Sequence, residues 1–264
     1  MSNRINKTFE KKGKKLVTFT TGGDPDLNTS LDILNTIIDN DVDIIEIGMP
    51  FSDPMADGPT IQESSVRSIT SGTKINDLFD IVSKIRKLNN EIPIILMGYY
   101  NSIFNLGIES FTSKCAKAGV DGLIIVDLQP EEDKELYTIT KANNIDLIRL
   151  ITPTTDEKRL KTILGNASGF LYYVTITGIT GQNSANVQHL KKSIGVIKSN
   201  TKLPIVAGFG IKNRQDVEQI SAFTDGVVVG SSIVNMIKKN LHDKNKMISE
   251  IDLFTKDLKN GVAE

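Results

Sequence analysis

Short runs of apolar, mostly β-branched residues recur along the chain, and amphipathic stretches fill the gaps between them. Leu16–Thr20, Val42–Ile47, Pro93–Met97, Gly122–Val126, Asp146–Ile151, Phe170–Thr175, Pro204–Ala207 and Gly226–Val229 read as eight strands. Most are near-continuously hydrophobic, as strands covered on both faces are. Between them Leu27–Asn40 places Leu31, Leu34, Ile37 and Ile38 on one side, and Ile75–Leu88 does the same with Leu78, Ile81, Val82 and Ile85; that spacing is helical. Ile108–Ala118, Glu131–Asn143, Asp156–Leu164, Val187–Ser199, Arg214–Ser221 and Ser231–Leu241 complete the set. First turns are marked by Pro, Thr or acids at Pro130-Glu131-Glu132 and Thr155-Asp156-Glu157, and helix ends by Gly107, Gly119 and Gly165. Further helices are expected over Pro59–Ser71 and Asp243–Asn260, the second with a stripe of Met247, Ile248, Ile251 and Phe254.

Strict alternation of strand and helix implies parallel strands with helical crossovers. Eight such units in 264 residues match an α/β fold of the (β/α)8 TIM barrel type with extra helices, which typically needs ~250 residues. No linker or low-complexity block appears, so one barrel domain over residues 1–264 is expected. An open doubly wound sheet would usually carry a Gly-rich fingerprint after its first strand; here that strand runs into Thr21-Gly22-Gly23-Asp24-Pro25, a turn.

The hydrophobic fraction of 39% and charged fraction of 24% are ordinary for a soluble globular protein. A net charge of -1 removes the general electrostatic reason to expect nucleic acid or an anionic membrane as partner. Cys115 is the only cysteine, so no intrachain disulfide forms and a reducing compartment is the simple reading. The polar start, Met1-Ser2-Asn3-Arg4, lacks the apolar core of a signal peptide. No run approaches the ~20 apolar residues of a spanning helix. His189 and His242 lie far apart with no ligand spacing, so no metal site is expected.

The chemistry concentrates where the second strand ends. Glu46 stands among Ile44, Ile45 and Ile47, with no Lys or Arg nearby in sequence. An apolar setting disfavours the charged carboxylate and raises its pKa. Asp57 follows in a loop dense in Pro, Gly and Asp. Two carboxylates in unlike surroundings are a natural source of a proton donor and a proton acceptor at one pH. A structural ion pair is the plain alternative for Glu46, and a turn or helix-cap role for Asp57; Asp53, before Pro54, rivals Asp57, and spacing does not choose between them. Glycines close three late strands, at Gly178 and Gly181, at Gly208 and Gly210, and at Gly230 before Ser231. Glycine lets backbone N–H groups approach an anion, a helix N-terminus adds partial positive charge, and barrels often bind phosphate after strands seven and eight. Asp127 ends strand four, where it either caps the helix after Pro130 or meets substrate. One of Tyr172 and Tyr173 faces the lumen; Tyr99, Phe19 and Phe209 are pocket or core residues.

Six stretches match one family in order: Phe19-Thr20-Thr21-Gly22-Gly23-Asp24-Pro25, the Glu46–Pro59 run continuing Thr60-Ile61-Gln62, Val126-Asp127-Leu128-Gln129-Pro130-Glu131-Glu132, Gly178-Ile179-Thr180-Gly181, Gly208-Phe209-Gly210-Ile211 and Gly230-Ser231. Over nearly its whole length the chain resembles the tryptophan synthase alpha subunit. The resemblance implies a lyase that cleaves indole-3-glycerol phosphate to indole and glyceraldehyde 3-phosphate by a retro-aldol step. It implies that Glu46 protonates C3 of the indole ring, and that Asp57, rather than Asp53, holds and then accepts the N–H proton. Tyr172 matches the family tyrosine near the substrate. Gly181, Gly210, Gly230 and Ser231 match phosphate-binding positions, and Phe19, Tyr99 and Asp127 match positions around the indole and the subunit interface. Thr175-Ile176-Thr177-Gly178 departs from the Ser-Arg-Ala-Gly of some members, so closure of that loop is expected to differ.

The same resemblance implies no cofactor in this chain, a pyridoxal-phosphate-dependent beta subunit as partner in an alpha2beta2 heterotetramer, and indole passed through an internal tunnel. Three rival readings are a different sugar-phosphate barrel enzyme, a catalytically silent regulatory barrel, and a stand-alone lyase releasing free indole. Richness in Asn, Lys and Ile points to an AT-rich genome, and hence to bacterial cytoplasm or plastid stroma.

Overall fold

The computed structural model describes residues 3–174, 184–208 and 210–262. Among these the apolar runs form strands β1 (Lys15–Thr21), β2 (Ile44–Gly48), β3 (Ile94–Gly98), β4 (Gly122–Ile125), β5 (Asp146–Leu147), β6 (Arg149–Ile151), β7 (Leu171–Val174), β8 (Ile205–Gly208) and β9 (Gly226–Val229). Every pairing is parallel, in the order β5-β4-β3-β2-β1-β9-β8-β7-β6. The two ends of that order belong to one extended run, the expected fifth strand, which breaks only at Ile148. Its first half pairs with β4 and its second with β7, so it closes the ring. At the break the Ile148 N–H still donates to the Leu123 carbonyl at 2.9 Å. The architecture is the expected α/β TIM barrel.

Successive side chains of a strand point to opposite faces, and this parity sorts the apolar residues into two clusters. Ile45 and Ile47 pack outward against helix residues such as Leu34 and Val82. Val17, Ile44, Ile95, Phe170 and Val228 fill the lumen instead. Burying apolar surface on both faces of one sheet is what demands the near-continuous hydrophobic strands.

Among the helices that fall on or within one residue of expectation are Leu27–Asp39, Ile75–Leu88, Ile108–Ala118 and Arg214–Ser221. The first is capped by Asp26, whose carboxylate accepts from the Asn28 and Thr29 N–H groups, both at 3.0 Å. The third ends on Gly119 at φ 94°, a left-handed stop that glycine adopts without strain. Two starts are corrected. The helix expected over Val187–Ser199 runs over Ser184–Asn200. The helix expected from Glu131 begins at Lys134, because Pro130–Glu132 form a turn closed by the Glu132 N–H on the Gln129 carbonyl at 3.0 Å. Asp133 gives that helix no side-chain cap; its carboxylate is committed to Arg149 and to Asn166.

Two helices were not expected, Asn3–Glu10 and Tyr100–Leu106. The first plugs the N-terminal pole of the barrel. Ile5, fully buried, enters the lumen cluster, and the Phe9 ring meets Phe170 at a centroid distance of 5.7 Å. Lys15, 2% exposed, points its ammonium at the end of this helix and donates to the Lys11 carbonyl at 2.8 Å. Replacing Ile5 with Ala is expected to destabilise the protein by about 2–4 kcal/mol, as large-to-small changes at packed sites do. A urea midpoint equal to that of the parent protein would show that the plug contributes nothing to stability.

Candidate active site

Glu46 shares strand parity with Ile44, a lumen residue, and therefore projects into the barrel. It is fully buried, and among the described residues neither carboxylate oxygen has a hydrogen-bond partner. Burial alone pushes its pKa up to about 8, since desolvation penalises the charged form. The structural ion pair weighed from sequence does not form among the described residues.

Two glycines let aromatic rings crowd around this carboxyl. A Cβ on Gly48 would stand 2.6 Å from the Phe19 ring, and one on Gly208 would stand 2.6 Å from the Tyr172 hydroxyl. Phe19 and Tyr172 both belong to the lumen side, whereas Tyr173 packs outward with the helices. The phenol of Tyr172 is pushed well up, first by burial and then by the charges of Glu46 and Asp57.

A cavity at the C-terminal end of the strands is lined by Phe19, Thr21, Gly48, Met49, Asp57, Ile61, Ser65, Met97, Gly98, Tyr99 and Val126. Asp57 is half-buried there. Its loop is shaped by the Asp57 N–H on the Pro54 carbonyl at 3.0 Å. The Tyr99 hydroxyl donates to Asp57 Oδ2 at 3.1 Å and accepts the Ala56 N–H at 3.0 Å. Phe51 stacks on the Tyr99 ring at 5.2 Å. Burial raises the Asp57 pKa and the Tyr99 hydrogen bond opposes that rise. Asp53, by contrast, is exposed, accepts the Ser52 hydroxyl at 2.5 Å and does not line the cavity.

Asp127 does not join this group. Its carboxylate accepts the Tyr100 N–H at 2.8 Å and so begins the helix Tyr100–Leu106, not the helix after Pro130. It lines a neighbouring cleft with Leu128, Gln129, Arg149 and Arg159. Across the mouth, Gly210 has φ 77°, and Gly230 precedes the helix Ser231–Lys239, whose start has no side-chain cap. The Ser232 hydroxyl ties this helix start to the Ile211 carbonyl at 2.8 Å, so the loops after β8 and β9 meet. Ser231 is exposed. Gly181, with the rest of 175–183, and Phe209 lie outside the described residues.

Sequence reasoning missed the Tyr99 latch on Asp57 and the walls supplied by Met49, Met97, Ile61 and Ser65. The spacing of Ile61 and Ser65, four apart on a helix next to Asp57, was the available signal for the last two. Among the described residues no three His, Cys, Asp or Glu side chains are grouped to hold a metal ion. Nor is any described helix long and apolar enough to cross a membrane.

Known proteins resemble this chain over nearly its whole length. The family described as "Tryptophan synthase alpha chain" matches residues 5–263. The tryptophan synthase alpha chain of Zymomonas mobilis subsp. mobilis is 42% identical over 266 residues, covering 99% of this chain and 97% of that one. The crystal structure of tryptophan synthase subunit alpha from Legionella pneumophila strain Paris superposes with a TM-score of 0.91 at 33% identity, covering 99% of this chain and 98% of that one. An aminoacrylate-bound tryptophan synthase structure from M. tuberculosis gives a TM-score of 0.86 at 26% identity, covering 98% and 99%. With a family match across nearly its whole length and a relative of this identity, the chain belongs to the tryptophan synthase alpha chain family.

Proposed function

We propose that this chain cleaves indole-3-glycerol phosphate to indole and glyceraldehyde 3-phosphate, with Glu46 as acid and base and Asp57 as the partner of the indole N–H. The observation that carries the reading is the pair of carboxyls itself. One is buried without a partner in the lumen, and the other is held at the cavity wall by Tyr99.

The steps follow from those two environments. Indole leaves as a neutral ring only if its C3 is protonated before the C–C bond breaks. A carboxyl with pKa about 8 is largely protonated at neutral pH and donates that proton. The ring then carries positive charge shared with its nitrogen, and an ionised Asp57 at the N–H stabilises it. When the bond between C3 and the glycerol carbon breaks, its electron pair returns to the ring and restores indole. The hydroxyl on the departing carbon becomes the aldehyde carbonyl. Its proton goes to the Glu46 carboxylate, and the acid is regenerated.

Phe19 and Tyr172 supply apolar walls for the ring. The loops at Gly210, Gly230 and Ser231, with Gly181, supply backbone N–H groups to the phosphate. Binding the phosphate contributes remote energy that orients the reacting bond. Asp127 acts one layer out, by holding the turn that carries Tyr99 and Tyr100. The chain needs no cofactor for these steps. Its partner is a tryptophan synthase beta subunit carrying pyridoxal phosphate, in an alpha2beta2 assembly.

The test is release of indole from indole-3-glycerol phosphate. Glu46→Gln is expected to remove cleavage while the variant still folds and binds inorganic phosphate; near-normal turnover would reject the acid assignment. Asp57→Asn should lose most activity and Asp53→Asn much less, and the reverse order would make Asp53 the loop acid. Because Glu46 must be protonated to act, kcat/KM of the parent enzyme should fall as pH rises through about 8.

Stability carries the same signature. An unfolded Glu46 ionises near 4.5 and the folded one near 8, so between those pH values the native state binds the extra proton. Its stability contribution is complete below the lower value and is lost as pH rises through the upper. Glu46→Gln should therefore raise the melting temperature more at pH 8 than at pH 5; an equal shift at both would mean that the carboxyl is not desolvated.

A further inference from the structure

The helix Pro59–Thr70 follows Asp57 directly and supplies Ile61 and Ser65 to the wall of the same cavity. Its buried residues are Ser64, Ser65 and Ser68, while Val66 and Ile69 are 59% and 40% exposed. A helix of this length is normally held by an apolar stripe, and this one presents serines instead. Apart from Ile61, which packs against the lumen cluster, what fastens it to the barrel is polar.

The anchor is the segment that follows β1. Ser64 Oγ and Thr21 Oγ1 are 2.6 Å apart, and the Ser68 hydroxyl donates to the Gly22 carbonyl at 2.6 Å. Arg67 then closes a two-pronged pair with Asp24, Nε to Oδ1 and Nη2 to Oδ2, both at 2.7 Å. Asp24 is 1% exposed. A carboxylate buried to that degree is stable as an ion only while its cation stays in place, and a bidentate guanidinium fixes direction as well as distance. Thr21, at the other end of this short anchor, lines the cavity with Asp57.

We propose that Arg67, through its buried pair with Asp24, is a positioning residue for Asp57: it locks the helix Pro59–Thr70 onto the loop after β1, and so holds the Asp57 carboxylate at the cavity wall. The proposal rests on the reading of Asp57 given above. Arg67 touches no substrate. It acts by setting where the helix that begins at Pro59, and the loop joined to it, stand relative to the strand ends.

Three variants test this: Arg67→Leu removes the pair, Arg67→Lys keeps the charge without the fork, and Asp24→Asn removes the anion. Arg67→Leu is expected to lower kcat for indole release about tenfold or more with a smaller change in KM, since displacing a reacting group costs rate first. Arg67→Lys and Asp24→Asn should fall between it and the parent enzyme. In an Asp57→Asn background, Arg67→Leu should change the residual kcat by less than about twofold, because coupled residues do not add. An equal fold-loss in both backgrounds would overturn the proposal.

A second readout needs no turnover: a carbon-13 titration of the Asp57 carboxyl in the ligand-free protein. In the Arg67 variants its midpoint should drop toward the ordinary carboxylate range as the side chain swings into solvent. An unchanged midpoint in Arg67→Leu, with circular dichroism showing that variant folded, would overturn the positioning role whatever the kinetics; Arg67→Lys, which keeps a cation beside Asp24, should shift it less. If the parent enzyme releases no indole, the proposed reaction fails while this titration still decides the clamp.

Discussion

A carboxyl group without a hydrogen-bond partner, sealed inside a ring of apolar side chains, costs the fold several kcal/mol if ionised and much less if protonated. Glu46 is such a group, and the rest of the site is arranged around that penalty. Phe19 and Tyr172 crowd the lumen and keep water out, and glycine at Gly48 and Gly208 makes room for them. The barrel supplies the rigidity: Glu46 sits in β2, paired with β1 and β3 on either side, so its backbone is fixed from both flanks. The proposed acid chemistry and the instability of the ionised state thus share one cause, which is desolvation.

The second carboxyl is managed differently. Asp57 stands on a loop, half-buried, and is steadied by Tyr99 from β3's end and by a helix that is fastened through serines and one buried ion pair. Polar fastening is directional and costs more to break than to loosen evenly. A loop residue that must meet one ring nitrogen gains from that geometry, whereas an apolar stripe would let the helix slide.

Most of the barrel was legible because parity and period are local properties. Eight apolar runs alternating with amphipathic stretches can be read without knowing any contact, and Glu46 stands out as a lone acid among isoleucines. The fifth strand's break at Ile148 was not visible, since it depends on which neighbours each half meets. The helix Asn3–Glu10 was hidden by its composition: only Ile5 and Phe9 mark an otherwise polar segment. Asp53 and Asp57 look alike in sequence because both sit in the same Pro-rich turn region; they separate only when Tyr99, 42 residues away, picks one. Arg67 and Asp24 are 43 residues apart, beyond the reach of any pattern along the chain. For Asp57 and for Arg67, what the sequence hides is a contact between segments far apart in the chain that meet beyond the C-terminal ends of the strands.

Ile5 and Phe9 close the N-terminal pole and apolar side chains fill the lumen beside them, so the approach to Glu46 runs from the end where substrate enters. Once a phosphoester occupies that end, it lies between the buried Glu46 carboxyl and bulk water. The hydrogen delivered to the indole ring and the hydrogen stripped from the glycerol oxygen then pass over the same pair of oxygens within one closed visit. Under the proposed chemistry the hydrogen that leaves with indole is replaced by one from the glycerol hydroxyl, so each turnover restores the acid without drawing on the solvent.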